Sequence, residues 1–361
     1  MERAFVCIGL AALASSASAL AAPLDALLTA WPERGAEHGT LELGADLMNQ
    51  QLDVFNFHSA SSDPDKATGD YRGAHVSAGM RVGEQGWLSG SLWQRAVSDA
   101  TDTYHYTSWQ LSGQYRVLEE AGLLPAMALR LSGWGNYADA TETSKPVVVP
   151  GAKLDTVKIT APADQQLQAD LVGTWQLSSA SDVSVLLSAG SSQLSYGALS
   201  ATTTLDGCHY NLAFTGNAVY GTLASPCSAG IYVQEIYDNS GRLGIDVARE
   251  IAWRGSFVQA GVNASWQDGP WLLRAGYLFH MAQRESVDAI LASRKQSSYT
   301  QNHSLAVEGS YRFSPSLRAF ARGQFSSNLF FNELPVTYNT STASRFDSKY
   351  SIVTLGLMAD F

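Results

Sequence analysis

The chain has 361 residues, of which 45% are hydrophobic, 10% aromatic and only 16% charged, with 31 glycines and a formal net charge of -10. A water-soluble domain carries about 25% charged residues, so this composition leaves few ions to cover a hydrated surface and fits a chain whose outer band meets lipid. The acidic balance argues against a nucleic-acid partner, which would favour a basic face.

The first residues read as an export signal. Arg3 precedes an apolar stretch from Ala4 to Leu13, followed by small residues ending in Ala19-Leu20-Ala21. Residues 1–21 are therefore expected to be a secretory signal peptide cut after Ala21, or alternatively after Ala19. The apolar core is shorter than the roughly 20 residues a membrane-spanning helix requires, and no later segment reaches that length. Residues 22–38 come next. Leu24, Leu27, Leu28 and Trp31 stand at helical spacing between Pro23 and Pro32, which predicts an amphipathic helix of about two turns. It can cap the rim of a barrel or plug its lumen.

From Gly39 the period changes to two, the mark of half-buried strands. Clear runs are Leu167, Ala169, Leu171, Gly173, Trp175 and Leu177; Val258, Ala260, Val262, Ala264 and Trp266; and Leu305, Val307, Gly309, Tyr311 and Phe313. Connections alternate between short turns (84–86, 178–182, 239–241, 268–270, 314–316) and long polar loops (58–69, 138–164, 197–228, 285–298, 332–347). That alternation is expected of a transmembrane antiparallel up-and-down β-barrel with short periplasmic turns and long external loops. The pattern predicts an all-β barrel over 39–361 with about fourteen strands, at 39–55, 71–82, 87–97, 104–117, 124–137, 165–177, 183–196, 229–238, 241–253, 256–267, 270–284, 299–313, 316–330 and 348–361. The strand 229–238 is weak and rests on parity, since without it the count is odd.

The last run places Val353, Leu355, Leu357, Ala359 and Phe361 at alternate positions up to the final residue. It resembles the C-terminal targeting strand of Gram-negative outer-membrane β-barrel proteins of the porin-like class. Ala359 departs from the aromatic often found at that position. The resemblance implies an outer-membrane location, outer-membrane lipids as surroundings and the barrel-assembly machinery as a partner during biogenesis.

If the apolar alternates face lipid, the opposite alternates line the lumen. They include Arg81, Arg95, Arg116, Arg130, Arg274, Arg312, Arg318 and Arg322, with acids such as Glu42, Asp46, Asp170 and Glu308. A basic side chain at the lipid midplane costs roughly 2–4 kcal/mol, so this placement supports the assigned facing. Arg249 is an exception near a strand end, where its stem can snorkel. The arginines read either as an anion- or sugar-ordering constriction or as arginine–carboxylate pairs that fill the barrel.

Cys7 leaves with the signal peptide, so Cys208 and Cys227 are expected to form a disulfide in an oxidising compartment; a metal site with His209 is the alternative. Residues 210–214 and 218–222 read as a hairpin clamped by that bond, either folding inward as a constriction or staying exposed. His75 with Ser77, and His303 with Ser304, are the nearest catalytic constellations, and neither provides nucleophile, base and orienter at recognisable spacing. No catalytic residue, metal site or cofactor is expected; Asp63, Asp65 and Asp70 lack the spacing of a calcium loop. The functions that fit are a channel for small hydrophilic solutes or an exported polymer, a non-transporting surface-interaction or assembly barrel, and a barrel hydrolase.

Overall fold

The computed structural model describes residues 27–28, 38–48, 70–98, 102–149, 152–225, 227, 233–239, 247–328 and 330–361. The expected signal peptide lies outside the described residues, and so does the expected N-terminal helix apart from Leu27 and Leu28.

The first described strands are β1 (Gly39–Met48), β2 (Asp70–Val82), β3 (Gly86–Ser98), β4 (Thr103–Leu118) and β5 (Ala126–Tyr137). After them come β6 (Ala140–Thr143), β7 (Val147–Val149), β8 (Ala152–Thr160), β9 (Ala163–Gln176) and β10 (Ser181–Ser195). Then follow β11 (Ala198–Leu205), β12 (Cys208–Thr215), β13 (Ala218–Ser225) and β14 (Glu235–Asn239). The last are β15 (Trp253–Asp268), β16 (Trp271–Arg284), β17 (Gln301–Ser314), β18 (Leu317–Ser326) and β19 (Tyr350–Asp360). Two short helices, α1 (Val247–Ile251) and α2 (Val287–Ser293), sit in long connections.

Twelve strands close a barrel in the order β1-β19-β18-β17-β16-β15-β10-β9-β5-β4-β3-β2. The alternation read from the sequence explains the closure. On β5, Leu129 and Leu131 point outward at 53% and 66% exposure, while the alternating Arg130 and Ser132 are buried inside at 3% each. The same holds for Leu41 and Leu43, Leu167 and Leu171, Val258 and Val262, Leu305 and Val307, and Leu355 and Leu357, all exposed on the outer face. Such a continuous apolar belt suits hydrocarbon, and closure leaves no unpaired strand edge within it. Where the belt ends at the short-turn rim, Trp271 packs edge-on against Tyr311 at 4.8 Å, and Tyr311 against Phe313 at 5.3 Å. The alternates Val353, Leu355, Leu357 and Ala359 lie on β19, which seals the barrel by pairing with β1 from Thr40↔Asp360 to Leu47↔Val353. The carbonyl of Phe361 accepts from the backbone N–H groups of His38 and Gly39 at 2.7 Å each.

Twelve wall strands correct the expected fourteen. The segment expected as strand 229–238 contributes β14, which pairs with β13 in a separate sheet ordered β14-β13-β12-β11-β8-β6, with β7 on β8. The other surplus strand, 241–253, ends instead in helix α1 and the first residue of β15; Arg249 is thus a helix residue. Both errors share a cause, because removing the two together also leaves an even count, so parity could not expose them. The second sheet rises from the wall. Strands β5, β9 and β10, neighbours in the barrel, run through short links into β6, β8 and β11, which are neighbours in the same order. Its own core includes Leu154, Ala201, Cys208, Tyr210 and Leu212.

Candidate functional site

The lumen wall is built by the inward alternates. Arg130 and Asp170 face each other across the β5–β9 register and pair at 2.6 Å. A second cluster spans β18, β17, β16, β1 and β2: Arg322 contacts Glu308 at 2.7 Å and Glu42 at 3.2 Å, Arg274 reaches Glu308 at 3.3 Å, and His75 reaches Glu42 at 3.0 Å and Asp46 at 3.5 Å. Near the short-turn rim Arg318 pairs with Asp360 at 2.6 Å and Arg312 lies 4.0 Å from the same carboxylate. Arg116 contacts Glu119 at 3.3 Å in the β4–β5 turn. Arg81 is half-buried near the end of β2, and Arg95, towards the opposite rim, reaches Glu333 at 3.5 Å. The arginines are thus spread over several heights, and most meet an acid on the wall itself. They are arranged as local pairs, not as one positive ring.

The fold is a closed, twelve-stranded antiparallel β-barrel. Its outer face is apolar, its inner face polar, and every wall strand is paired on both sides.

Two further groups of residues pack against the inner face. Leu27 and Leu28 are 1% and 5% exposed and pack on Ala128, Val172, Leu186, Leu278 and Ala306. These wall residues are small or aliphatic where a water-filled lumen would favour polar ones. The wall also gives way to the segment at Gly261 and Gly276, where a Cβ atom would come within 2.8 and 2.9 Å of Leu27 side-chain carbons. Asn263 donates its Nδ2 to the Leu27 carbonyl. Of the two placements open for the N-terminal segment, Leu27 and Leu28 occupy the lumen.

The second occupant is the connection 327–349 between β18 and β19, which turns into the mouth at the long-loop rim. Phe330, Phe331, Leu334, Tyr338 and Phe346 are buried, packing with Tyr71, Tyr106, Leu194 and Trp253 of the wall and Val287 and Leu291 of α2. Polar latches hold it on several sides. Val336 N–H donates to Asp164 Oδ2 at 2.6 Å, and Trp253 Nε1 donates to the Tyr338 carbonyl at 2.9 Å. Thr340 Oγ1 donates to Glu250 at 2.7 Å, and Arg294 grips Glu250 through both carboxylate oxygens at 2.7 and 2.8 Å. That hydrogen bond raises the Arg294 guanidinium above its ordinary range. Burial likewise raises the Tyr338 hydroxyl, over whose ring the Arg284 guanidinium lies at 3.7 Å. Polar loop spacing did not foretell this fold, although the aromatic and aliphatic run 330–338 carries the signal, because such side chains are costly to leave in water.

The other candidates resolve as follows. Cys208 and Cys227 form a disulfide that clamps the β12–β13 hairpin in the separate sheet, outside the lumen, so this hairpin does not constrict the barrel. The bond engages both sulfurs, and His209 Nδ1 sits 2.9 Å from Thr204 Oγ1, which displaces the metal alternative. His303 and Ser304 point to opposite faces of β17: His303 bonds the Tyr277 hydroxyl at 2.6 Å, whereas Ser304 is buried against Ser326 at 2.8 Å.

No protein-family model matches the chain, and no curated protein matches its sequence. Among solved structures, the chain is similar to the translocator domain of the autotransporter NalP from Neisseria meningitidis, with a TM-score of 0.49 and 11% identity over 94% of each chain. It is also similar to the CymD monoaromatic hydrocarbon channel, with a TM-score of 0.41 and 14% identity over 96% of this chain and 94% of that one. The NanC porin aligns with a TM-score of 0.40 and 6% identity over 89% of this chain and 100% of that one.

Proposed function

We propose that this chain is an outer-membrane channel for small polar solutes, held shut in the present conformation by Leu27, Leu28 and its last long loop. One observation carries this reading. The wall ion pairs form between strands no more than two apart, and the inner wall is covered instead by Leu27 and Leu28 and by the 327–349 loop. A twelve-stranded wall is wider than the eight-stranded kind whose interior side chains fill. Local pairing of the arginines favours neutral polar solutes over strongly anionic ones. An exported polymer would need both occluding segments to leave together. The outward alternates of β19 support insertion by the barrel-assembly machinery, with outer-membrane lipids around the apolar belt.

A second reading has an observation of its own. The separate sheet leaves Tyr220 and Tyr237 50% and 66% exposed, with ring centroids 5.1 Å apart, and such a surface suits an interaction barrel. Swelling of proteoliposomes in small neutral solutes separates the two. Swelling that falls off with solute size supports the channel, whereas protein that inserts without permeability under any gating condition leaves the interaction reading.

A further inference from the structure

Basic side chains are unevenly placed on the outer face of the wall. Among the described wall strands, four stand on outward alternates: Arg72 on β2, His105 on β4, Arg254 on β15 and His303 on β17. Each is the second or third residue of a strand that begins at the long-loop rim. The described outward positions at the short-turn rim carry none; Tyr115, Trp266, Trp271 and Phe313 stand there instead, 44–61% exposed. Because the cost of a lipid-facing cation falls at both interfaces alike, cost alone does not put all four at one end.

Two of the four have neighbours that account for them. His303 bonds the Tyr277 hydroxyl at 2.6 Å, and Arg254 stands beside Glu285, whose N–H donates to the Arg254 carbonyl at 2.9 Å. Arg72 and His105 have none: both are exposed, and among the described residues neither side chain forms an ion pair or a hydrogen bond. Asp70, two residues farther out on the same face of β2, forms no ion pair with Arg72. On the inner wall, by contrast, Arg130, Arg318 and Arg322 each meet a carboxylate at 2.6 or 2.7 Å.

The two lie on one row. Arg72 is the register partner of Ala96, and Ala96 of His105, so a small alanine on β3 separates them. At ~4.8 Å per strand the two backbones are ~10 Å apart, and both side chains can close on a group seated over Ala96. One row towards mid-wall, Ala74, Gln94 and Thr107 are partners; Gln94 Nε2 donates to Thr107 Oγ1 at 3.0 Å, which leaves the Gln94 carbonyl oxygen and the Thr107 O–H for a further partner. The next row is Val76, Leu92 and Trp109, which joins the apolar belt. Read outward, the order apolar, neutral polar, basic matches a lipid with acyl chains, a headgroup bearing hydroxyls and amides, and a phosphate. Guanidinium and imidazole N–H groups give a phosphate charge-assisted hydrogen bonds, whereas a free phosphate ion would have no use for the two lower rows. We propose that this face of β2–β4 binds a phosphorylated glycolipid of the outer leaflet, its phosphate held between Arg72 and His105 above Ala96. The proposal rests on the outer-membrane reading, which puts the long-loop rim at the cell surface.

The test is native mass spectrometry of the full folded chain in detergent, with diphosphorylated lipid A, the same lipid A stripped of both phosphates, and phosphatidylglycerol as probes. The expected result is a saturable adduct with phosphorylated lipid A, bound at least ~10-fold more tightly than either of the other two. Arg72→Gln with His105→Gln should remove that preference. Ala96→Leu keeps both donors but fills the space between them, and should weaken phosphorylated lipid A by a similar factor. Equal binding of the phosphorylated and stripped forms means that acyl chains alone decide, and overturns the proposal. Equal binding of phosphatidylglycerol overturns the choice of a glycolipid, and a preference that survives the double variant overturns the assignment to Arg72 and His105. The comparison of probes on the unaltered chain stands even if the variants fail to fold. Failure of the outer-membrane reading looks different: a chain that does not insert into phosphatidylcholine vesicles removes that reading, whereas one that inserts without any lipid preference removes this site alone.

Discussion

Replacing Leu27 and Leu28 together by serine should release the N-terminal segment from the lumen. Both side chains are almost fully buried, at 1% and 5% exposure, against aliphatic wall residues. Burying one leucine is worth ~1.5–3 kcal/mol, so the pair anchors the segment by ~3–6 kcal/mol, most of which serine forfeits. At tenfold per 1.4 kcal/mol, the population with an undocked segment rises by roughly 100- to 10,000-fold. A thiol introduced by Ala306→Cys reports on this directly, because Ala306 is 0% exposed and belongs to the patch that receives the two leucines. Labelling by a small charged thiol reagent should be slow with the leucines present and faster by about that factor with Leu27→Ser and Leu28→Ser. The native Cys208 and Cys227 are tied in their disulfide and do not compete. Equal labelling rates in both backgrounds would refute the idea that these leucines gate access to the lumen.

Other outcomes follow from the same contacts. Arg130→Met leaves the Asp170 carboxylate buried without its cation and should cost ~3–5 kcal/mol, read as a lower temperature for loss of the compact gel band; adding Asp170→Met should recover most of it, and an unchanged transition would show the pair to be dispensable. Added to the opened variant with Leu27→Ser, Leu28→Ser and a shortened last loop, Arg322→Gln leaves Glu42 and Glu308 with one cation fewer, so reversal potentials across a salt gradient should move towards cation preference; a shift towards anions would contradict the assigned facing. Reducing the Cys208–Cys227 bond, whose partners are 19 residues apart, removes ~3 kcal/mol in the chain-entropy picture and should expose the β12–β13 hairpin to protease while the wall stays intact. Protease resistance of that hairpin after reduction would mean that its apolar core suffices.

All twelve wall strands are legible from period-two alternation, and so is the facing of mid-strand residues such as Leu129 and Arg130, because a one-residue slip would exchange the exposed leucine and the buried arginine. The two surplus strands show where that signal stops. A strand in a sheet standing above the barrel, such as β14, also alternates, and nothing in its period says which neighbour it will pair with. The period of two says nothing of which acid each arginine meets, because partners come from strands distant in sequence: Arg322 meets Glu42 only once the barrel has closed. The occluding loop was missed for a different reason. The alternation predicts a strand through residue 330 and a polar loop over 332–347, whereas the strand ends at Ser326 and Phe330, Phe331, Leu334 and Tyr338 turn into the mouth, where they are buried.

Among the described residues, Leu27, Leu28 and the 327–349 loop close the lumen. Single-channel recording in a planar bilayer tests this, using the full chain with Leu27→Ser and Leu28→Ser and with residues 329–347 replaced by a short turn. The account predicts long-lived, ohmic conductance steps in that variant and rare or no openings in the unaltered chain. A variant that still runs as a heat-modifiable, folded barrel yet never conducts would contradict it.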